Sequence, residues 1–163
     1  MTDLSIKEPE YPTGPFTIGV SGVVIHEDKV LLVRLTYGHR GWILPGGYVR
    51  TKETTGEAVR REVLEETGLV VEPTGLVSVR SRIRDNRNDI YVTFLVKVVG
   101  GELKPDGKEI AEARYFTLTE MEGREDVPQL NSVISRHALE KNKPHFTLSD
   151  YKPTPDENYE LWL

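Results

Sequence analysis

Apolar residues are spaced along this chain in two rhythms. Thr17 to Ile25 and Lys29 to Leu35 are rich in branched apolar residues, with His26, Glu27 and Asp28 between them, which predicts a β-hairpin. Gly75 to Arg84 and Asp89 to Val99 predict a second pair of strands about the polar turn Asp85 to Asn88. Strict alternation in the first of these puts Val77, Val79 and Ile83 on one face and Arg80, Arg82 and Arg84 on the other. A short strand is expected at Ala113 to Phe116.

The second rhythm is helical. Thr54 followed by Glu57 is a capping-box pattern, Glu57 to Glu66 is mostly good helix formers, and Gly68 suits the left-handed position beyond a helix end near Thr67. Pro128 to Lys141 predicts another helix, with Leu130, Val133, Ile134 and His137 marking one face and Pro144 beyond its end. Residues 1–15 carry Pro9, Pro12 and Pro15 and are expected to be an extended lead-in. Residues 144–163 form a C-terminal extension whose apolar last five residues should dock on their own domain or on a second subunit. Hairpins alternating with two helices predict an α+β fold, a mixed central sheet with helices on both faces.

The first helix contains an arrangement that local energetics oppose. At about 100° per residue, Glu62, Glu65 and Glu66 fall within an arc of about 100°. Like charges at such spacings destabilise a helix by roughly 0.2–0.5 kcal/mol each, and the carbonyl end of the helix dipole also repels them. A solvated acidic face with Arg60 and Arg61 nearby is one reading. A hard divalent cation, which needs oxygen ligands, is the other.

Spacing bears on that choice. The stretch GYVRTKETTGEAVRREVLEETGL has Gly47, five residues, Glu53, seven residues, then Arg61, Glu62, Val63, Glu65, Glu66, Gly68 and Leu69. This resembles the Nudix hydrolase signature at every fixed position. The resemblance implies a Nudix-type α/β/α sandwich, Mg²⁺ or Mn²⁺ as cofactor, and Glu62, Glu65 and Glu66 as metal ligands, with Glu65 alternatively the base. It implies a loop at Trp42 to Gly47 lying against the helix, with the Gly46 carbonyl reaching the metal, and a salt bridge between Glu53 and Arg61 bracing the two. Many members recruit a later carboxylate. Asp106 to Glu109 occupies a comparable place, which makes Glu109 a candidate ligand or general base and leaves Asp106 and Glu112 as competitors.

Composition narrows the partners. A chain of 163 residues with 37% hydrophobic content has room for one core, so residues 1–163 are expected to form a single Nudix hydrolase domain. Net charge of −5 disfavours duplex nucleic acid and acidic membrane surfaces, and no stretch approaches about 18 apolar residues. With no cysteine, thiolate chemistry is excluded and a cytoplasmic location is compatible. His26, His39, His137 and His145 lack metal-ligand spacing, and no P-loop, dinucleotide fingerprint or nucleophile elbow occurs.

The resemblance implies cleavage of a phosphoanhydride in a small nucleotide: a nucleoside triphosphate, ADP-ribose, a sugar nucleotide or a dinucleoside polyphosphate. The arginine row, Arg80, Arg82 and Arg84, is either a solvated sheet face or a binding surface for substrate phosphate. Trp42, Tyr48 and Tyr115 are core aromatics or base-stacking residues. Some members carry a proline about fifteen residues past the signature, or a tyrosine at similar distance. Here Leu69 plus fifteen is Arg84, and Tyr91 lies at 91 minus 69, or 22, which weakens both the ADP-ribose and the dinucleoside assignments. Two alternatives stand beside the hydrolase: a nucleotide-sensing module without catalysis, and removal of a 5′ diphosphate from RNA. A homodimer is also expected from family habit.

Overall fold

The computed structural model describes residues 14–84, 86–140, 149–151 and 158–163, with the side chains of Arg84, 158–160 and Trp162 outside that description. The lead-in over 1–13 and Pro144, His145, Pro153 and Pro155 also lie outside it.

β1 (Phe16–His26) and β2 (Lys29–Leu35) form the first hairpin. Its turn residues Glu27 and Asp28 both have positive φ, 49° and 57°, the geometry that matches the twist of a two-residue hairpin. Only Ile25↔Val30 and His26↔Lys29 stay paired, because β1 then leaves β2 to join other strands. β6 (Arg87–Gly101) runs parallel to β1 from Phe16↔Asn88 to Val24↔Val96. β5 (Leu69–Arg84) lies antiparallel beyond it, and β8 (Asn158–Trp162) closes that edge. On the other side, β2 pairs with β3 (Trp42–Ile43) and β7 (Ile110–Phe116), while β4 (Gly46–Tyr48) pairs with β1. One parallel contact among antiparallel ones makes the sheet mixed, as expected.

The helices divide between the faces. α1 (Thr55–Thr67) buries Ala58, Val59 and Val63 against Val20, Val24 and Val96. Each such valine contributes about 1.5–3 kcal/mol by leaving water. α2 (Leu118–Met121) and α3 (Gln129–Leu139) cover the opposite face, where Val23, Leu32, Trp42, Phe116, Met121 and Ile134 pack together. Val23 and Val24 are neighbours on β1 yet belong to different cores, which is the period-two signature of a sheet between two layers. The architecture is an α+β sandwich of the α/β/α type.

Several local expectations are corrected. β5 begins at Leu69, directly after α1, and not at Gly75, while Arg87 and Asn88 belong to β6 rather than to the turn. Propensity is weak across Glu72 to Gly75, and pairing with Lys97, Val96 and Leu95 carries the strand through. A register shift between Leu76 and Ser78 turns Val77 into the core beside Ile134, away from the face of Val79 and Ile83. α3 buries Ile134 with Leu130, Ala138 and Leu139 packed alongside, so its inward face is rotated from the expected Val133 and His137. The short strand starts at Ile110, and β3 and β4 occupy what looked like loop. The terminal residues dock on their own sheet edge, one of the two expected placements.

Among the described residues no helix is long and apolar enough to cross a membrane.

Candidate active site at the end of α1

The expected capping box is present: Thr54 Oγ1 accepts from the Glu57 N–H at 3.2 Å and the Glu57 carboxylate accepts from the Thr54 N–H at 2.8 Å. Gly68 ends the helix at φ 74°, and a Cβ there would stand 2.5 Å from the Glu102 carbonyl oxygen. The Lys104 N–H donates to the Thr67 carbonyl at 2.8 Å, so the chain leaving β6 is tied to the end of α1. That contact brings the 104–110 segment beside the glutamates.

The three glutamates share a face but not a depth. Glu66 is buried at 6% exposure, and its Oε2 accepts from the Gly46 N–H at 2.9 Å. The Glu62 side chain is largely buried, and a Cβ on Gly47 would lie 2.7–2.8 Å from its carboxylate. Glu65 is half exposed and meets Arg61 at 3.3 Å and Arg50 at 3.5 Å. Burial pushes the Glu66 carboxyl well above the usual carboxylate range, with further repulsion from Glu62, Glu109 and Asp106. Burial also raises Glu62, against the pull of Arg61.

Arg61 organises the outer part of the site. Its Nε donates to Glu53 Oε1 at 2.7 Å and its Nη2 to Glu53 Oε2 at 2.9 Å, a forked ion pair with both side chains about 15% exposed. Nη2 also donates to the Tyr48 carbonyl at 3.1 Å, and Nη1 to Glu62 at 2.5 Å. The Glu53–Arg61 salt bridge implied by the signature therefore exists, and the bond to the Tyr48 carbonyl ties β4 to α1. The hydrogen bond from Arg61 chiefly holds the Glu53 carboxyl down at about 2, although burial opposes it. Sequence reasoning missed Arg50 and the Tyr48 carbonyl, since no spacing rule marks a backbone acceptor.

The later carboxylates separate by what they touch. Asp106 Oδ1 accepts from the N–H groups of Lys108, Glu109 and Ile110 at 2.9, 3.1 and 2.9 Å, so it shapes the loop. Glu112 pairs with Arg34. The Glu109 carboxylate is exposed, has no hydrogen-bond or ion-pair partner among the described residues, and lies close enough to repel Glu66.

Of the arginine row, Arg80 and Arg82 are partly buried and paired. Arg80 and Arg82 both reach Asp89, the second at 3.7 Å, and Asp89 also accepts from Thr17 Oγ1 at 2.8 Å. The Arg80 guanidinium sits 5.0 Å from the centre of the Tyr91 ring. Asp89, buried at 7%, faces Arg82 across the β5–β6 pair, a register that alternation within one strand does not reveal. Trp42 is buried against Phe116, which makes it core.

Among the described residues no three His, Asp or Glu side chains are gathered to hold a cation as they stand, and Arg61 bridges Glu62 and Glu65. The donor set nevertheless fits a hard divalent ion: it is all oxygen, and the buried charge of Glu66 is what such an ion would relieve. At Gly46 the observed contact is its N–H on Glu66, not its carbonyl. A Cβ at Gly46 would stand 2.1 Å from the Val20 carbonyl oxygen and 2.7 Å from the Ser21 Cα, both backbone atoms. Gly46→Ala is expected to cost about 2–4 kcal/mol by forcing β4 off β1, read as a lowered urea midpoint at unchanged m.

Comparison with known proteins agrees with this fold. The NUDIX domain family model matches residues 15–137. An ADP-ribose pyrophosphatase of Methanocaldococcus jannaschii is 39% identical over 108 residues, which cover 64% of this chain and 63% of that protein. A MutT-like protein of Streptomyces ambofaciens is 31% identical over 151 residues, covering 91% of this chain and 95% of the relative. The crystal structure of a MutT protein from Methanosarcina mazei Go1 superposes with a TM-score of 0.66 at 27% identity, covering 82% of this chain and 100% of that one. With a matching family model over three quarters of its length, the signature of Gly47 to Leu69 intact and the sandwich fold to hold it, this chain belongs to the Nudix hydrolase family.

Proposed function

We propose that the protein is a Mg²⁺- or Mn²⁺-dependent pyrophosphohydrolase that cleaves a phosphoanhydride bond in a nucleoside diphosphate-linked substrate. The observation that carries this reading is Glu66, a carboxylate buried against Gly46 with Glu62 and Glu109 repelling it, an arrangement that is unfavourable without a cation. Glu62, Glu65 and Glu66 would hold the ion, with the Gly46 carbonyl as a further ligand. When bound, it supplies charge neutralisation at the phosphoryl oxygens and acidifies an attacking water.

The remaining work falls to the chain's own groups. Arg61, locked by Glu53 and the Tyr48 carbonyl, fixes the orientation of Glu62 and Glu65. Glu109, with no other hydrogen-bond or ion-pair partner among the described residues, takes the proton as the water oxygen attacks phosphorus and the anhydride bond breaks; Glu65 is the competing base. Products are a nucleoside monophosphate and the phosphorylated remainder. Arg80 and Arg82 contact the substrate from the sheet, and Arg84 follows from the same alternation. The relative from Methanocaldococcus jannaschii makes ADP-ribose the first substrate to test.

The test is product chromatography after incubation with Mg²⁺ or Mn²⁺ and nucleoside triphosphates, ADP-ribose, sugar nucleotides, dinucleoside polyphosphates and 5′-triphosphorylated RNA. Metal-dependent release of a nucleoside monophosphate that stops on chelation is expected. Binding without turnover would turn the assignment to a sensor, and activity confined to RNA would replace the small substrate. The homodimer belongs to the same proposal, supported by exposed Phe16, Ile18 and Ile90 on adjacent strands. Light scattering should give twice 18.5 kDa, and a monomer mass rejects it.

A further inference from the structure

The family model ends at His137, yet the sheet does not. β8 adds a strand outside β5, from Ile83↔Asn158 to Val79↔Trp162, and places Leu161 opposite Arg80. Leu161 is completely buried, and Leu163 packs against the core that contains Ile134. Cross-strand neighbours on one face of a sheet touch through their side chains.

Leu161 begins a row that crosses the sheet. Arg80 is opposite Tyr91 on β6, Tyr91 is opposite Gly19 on β1, and Gly19 is opposite Tyr48 on β4. Gly19 leaves room for the Tyr91 ring, since a Cβ there would lie 2.2 Å from it. Burial chiefly raises the Tyr91 hydroxyl, and the charges of Glu66, Arg80 and Glu62 also act on it. One tyrosine thus lies within electrostatic reach of both the arginine and the glutamates.

Arg80 is held but not satisfied. One guanidinium nitrogen, Nη2, bonds Asp89, the plane rests over Tyr91, and Nε is shut off from solvent with no hydrogen-bond partner. The third guanidinium nitrogen, Nη1, bonds no described residue and is not shut off from solvent, so it is the donor that a phosphate oxygen can meet in a charge-assisted bond.

We propose that the C-terminal strand is part of the substrate site, with Leu161 a positioning residue that presses Arg80 against Tyr91 so that the guanidinium edge left over from Asp89 meets an acceptor oxygen of the substrate. This rests on the assignment of a nucleoside diphosphate-linked substrate at the glutamates.

Leu161→Ala, Leu161→Met and Leu163→Ala in the full chain provide the test, with Mg²⁺ and ADP-ribose for kinetics and calorimetric binding of ADP-ribose in chelator. Leu161→Ala is expected to raise KM and Kd about tenfold while kcat stays within about threefold, because ground-state and transition-state binding are lost together. Leu161→Met, which refills the volume, should restore both constants. Leu163→Ala should lower the melting temperature as much as Leu161→Ala yet leave KM within about twofold. Equal KM effects from the two alanine variants, or no effect of Leu161→Ala on KM and Kd, would overturn the inference. Wild-type protein that binds ADP-ribose without turnover, with Kd still weakened by Leu161→Ala, would sink the hydrolase reading alone. Absence of wild-type binding overturns the inference itself.

Discussion

Glu66→Gln is expected to lower kcat/KM about a thousandfold and, in chelator at neutral pH, to raise the melting temperature. Both effects have one cause. The Glu66 carboxylate is buried, and it is repelled by Glu62, Glu109 and Asp106. A neutral amide of the same shape keeps an oxygen for the Gly46 N–H while removing the buried charge, so the metal-free fold gains. If the gain is about 1–2 kcal/mol, a chain of this size should melt about 2–8 °C higher. The same change removes the deepest candidate ligand, and losing one charged ligand costs metal-assisted chemistry orders of magnitude.

Linkage fixes the pH dependence. Glu66 has a raised folded-state pKa, so its contribution is most favourable below the unfolded value of 4.5 and is lost as pH rises through the folded value. In chelator the wild type should lose this increment as pH rises from 4.5 through the raised folded-state value, and Glu66→Gln should not. Adding Mg²⁺ should erase the difference by stabilising only the wild type. Calorimetric melts of both proteins with and without Mg²⁺ decide it: a variant no more stable than wild type in chelator would mean that the buried charge is already balanced.

Arg61→Met carries the second large effect. Methionine keeps much of the buried stem but removes the fork that joins Glu53, the Tyr48 carbonyl, Glu62 and Glu65. Glu53 and Glu62 would then be largely buried carboxylates without a cation, and breaking such pairs costs about 3–5 kcal/mol. The melting temperature should fall by about 6–20 °C. Turnover should fall at least a hundredfold, because the orientation of two candidate ligands is lost.

Here the sign of the pH effect is opposite to that of Glu66. Glu53 titrates at about 2 in the folded chain instead of 4.5, so it contributes stability above pH 4.5 that is lost as pH falls toward 2. The increment is on the order of 3 kcal/mol, about 2.5 pKa units at about 1.4 kcal/mol each. Acid titration followed by circular dichroism should show wild type losing stability across that window and Arg61→Met showing little of it. Parallel acid curves for the two proteins would mean that another group holds Glu53 ionised.

Much of the candidate site was legible in the order of residues alone. Thr54 and Glu57 announced the start of α1, Gly68 its end, and the arc of Glu62, Glu65 and Glu66 followed from helical period. These are local properties, set by backbone geometry within a few residues. Pattern also placed β1, β2 and the mixed sheet. It failed where pairing overrides propensity: at Leu69 to Thr74, at the register shift that moves Val77, and along α3, whose inward face depends on what it packs against.

The sequence by itself determined that three carboxylates share one helix face and that an arginine and a glutamate eight residues apart accompany them. Only the tertiary structure decided that Glu66 is buried under Gly46 while Glu65 stays half exposed. It alone also separated Glu109 from Asp106 and Glu112, supplied Asp89 as the partner of Arg80, and set Leu161 beside that arginine across 81 residues of chain, 161 minus 80. Depth, charge partners and long-range neighbours arise from which surfaces are packed together, and side-chain spacing along one segment carries no record of the segment that will cover it.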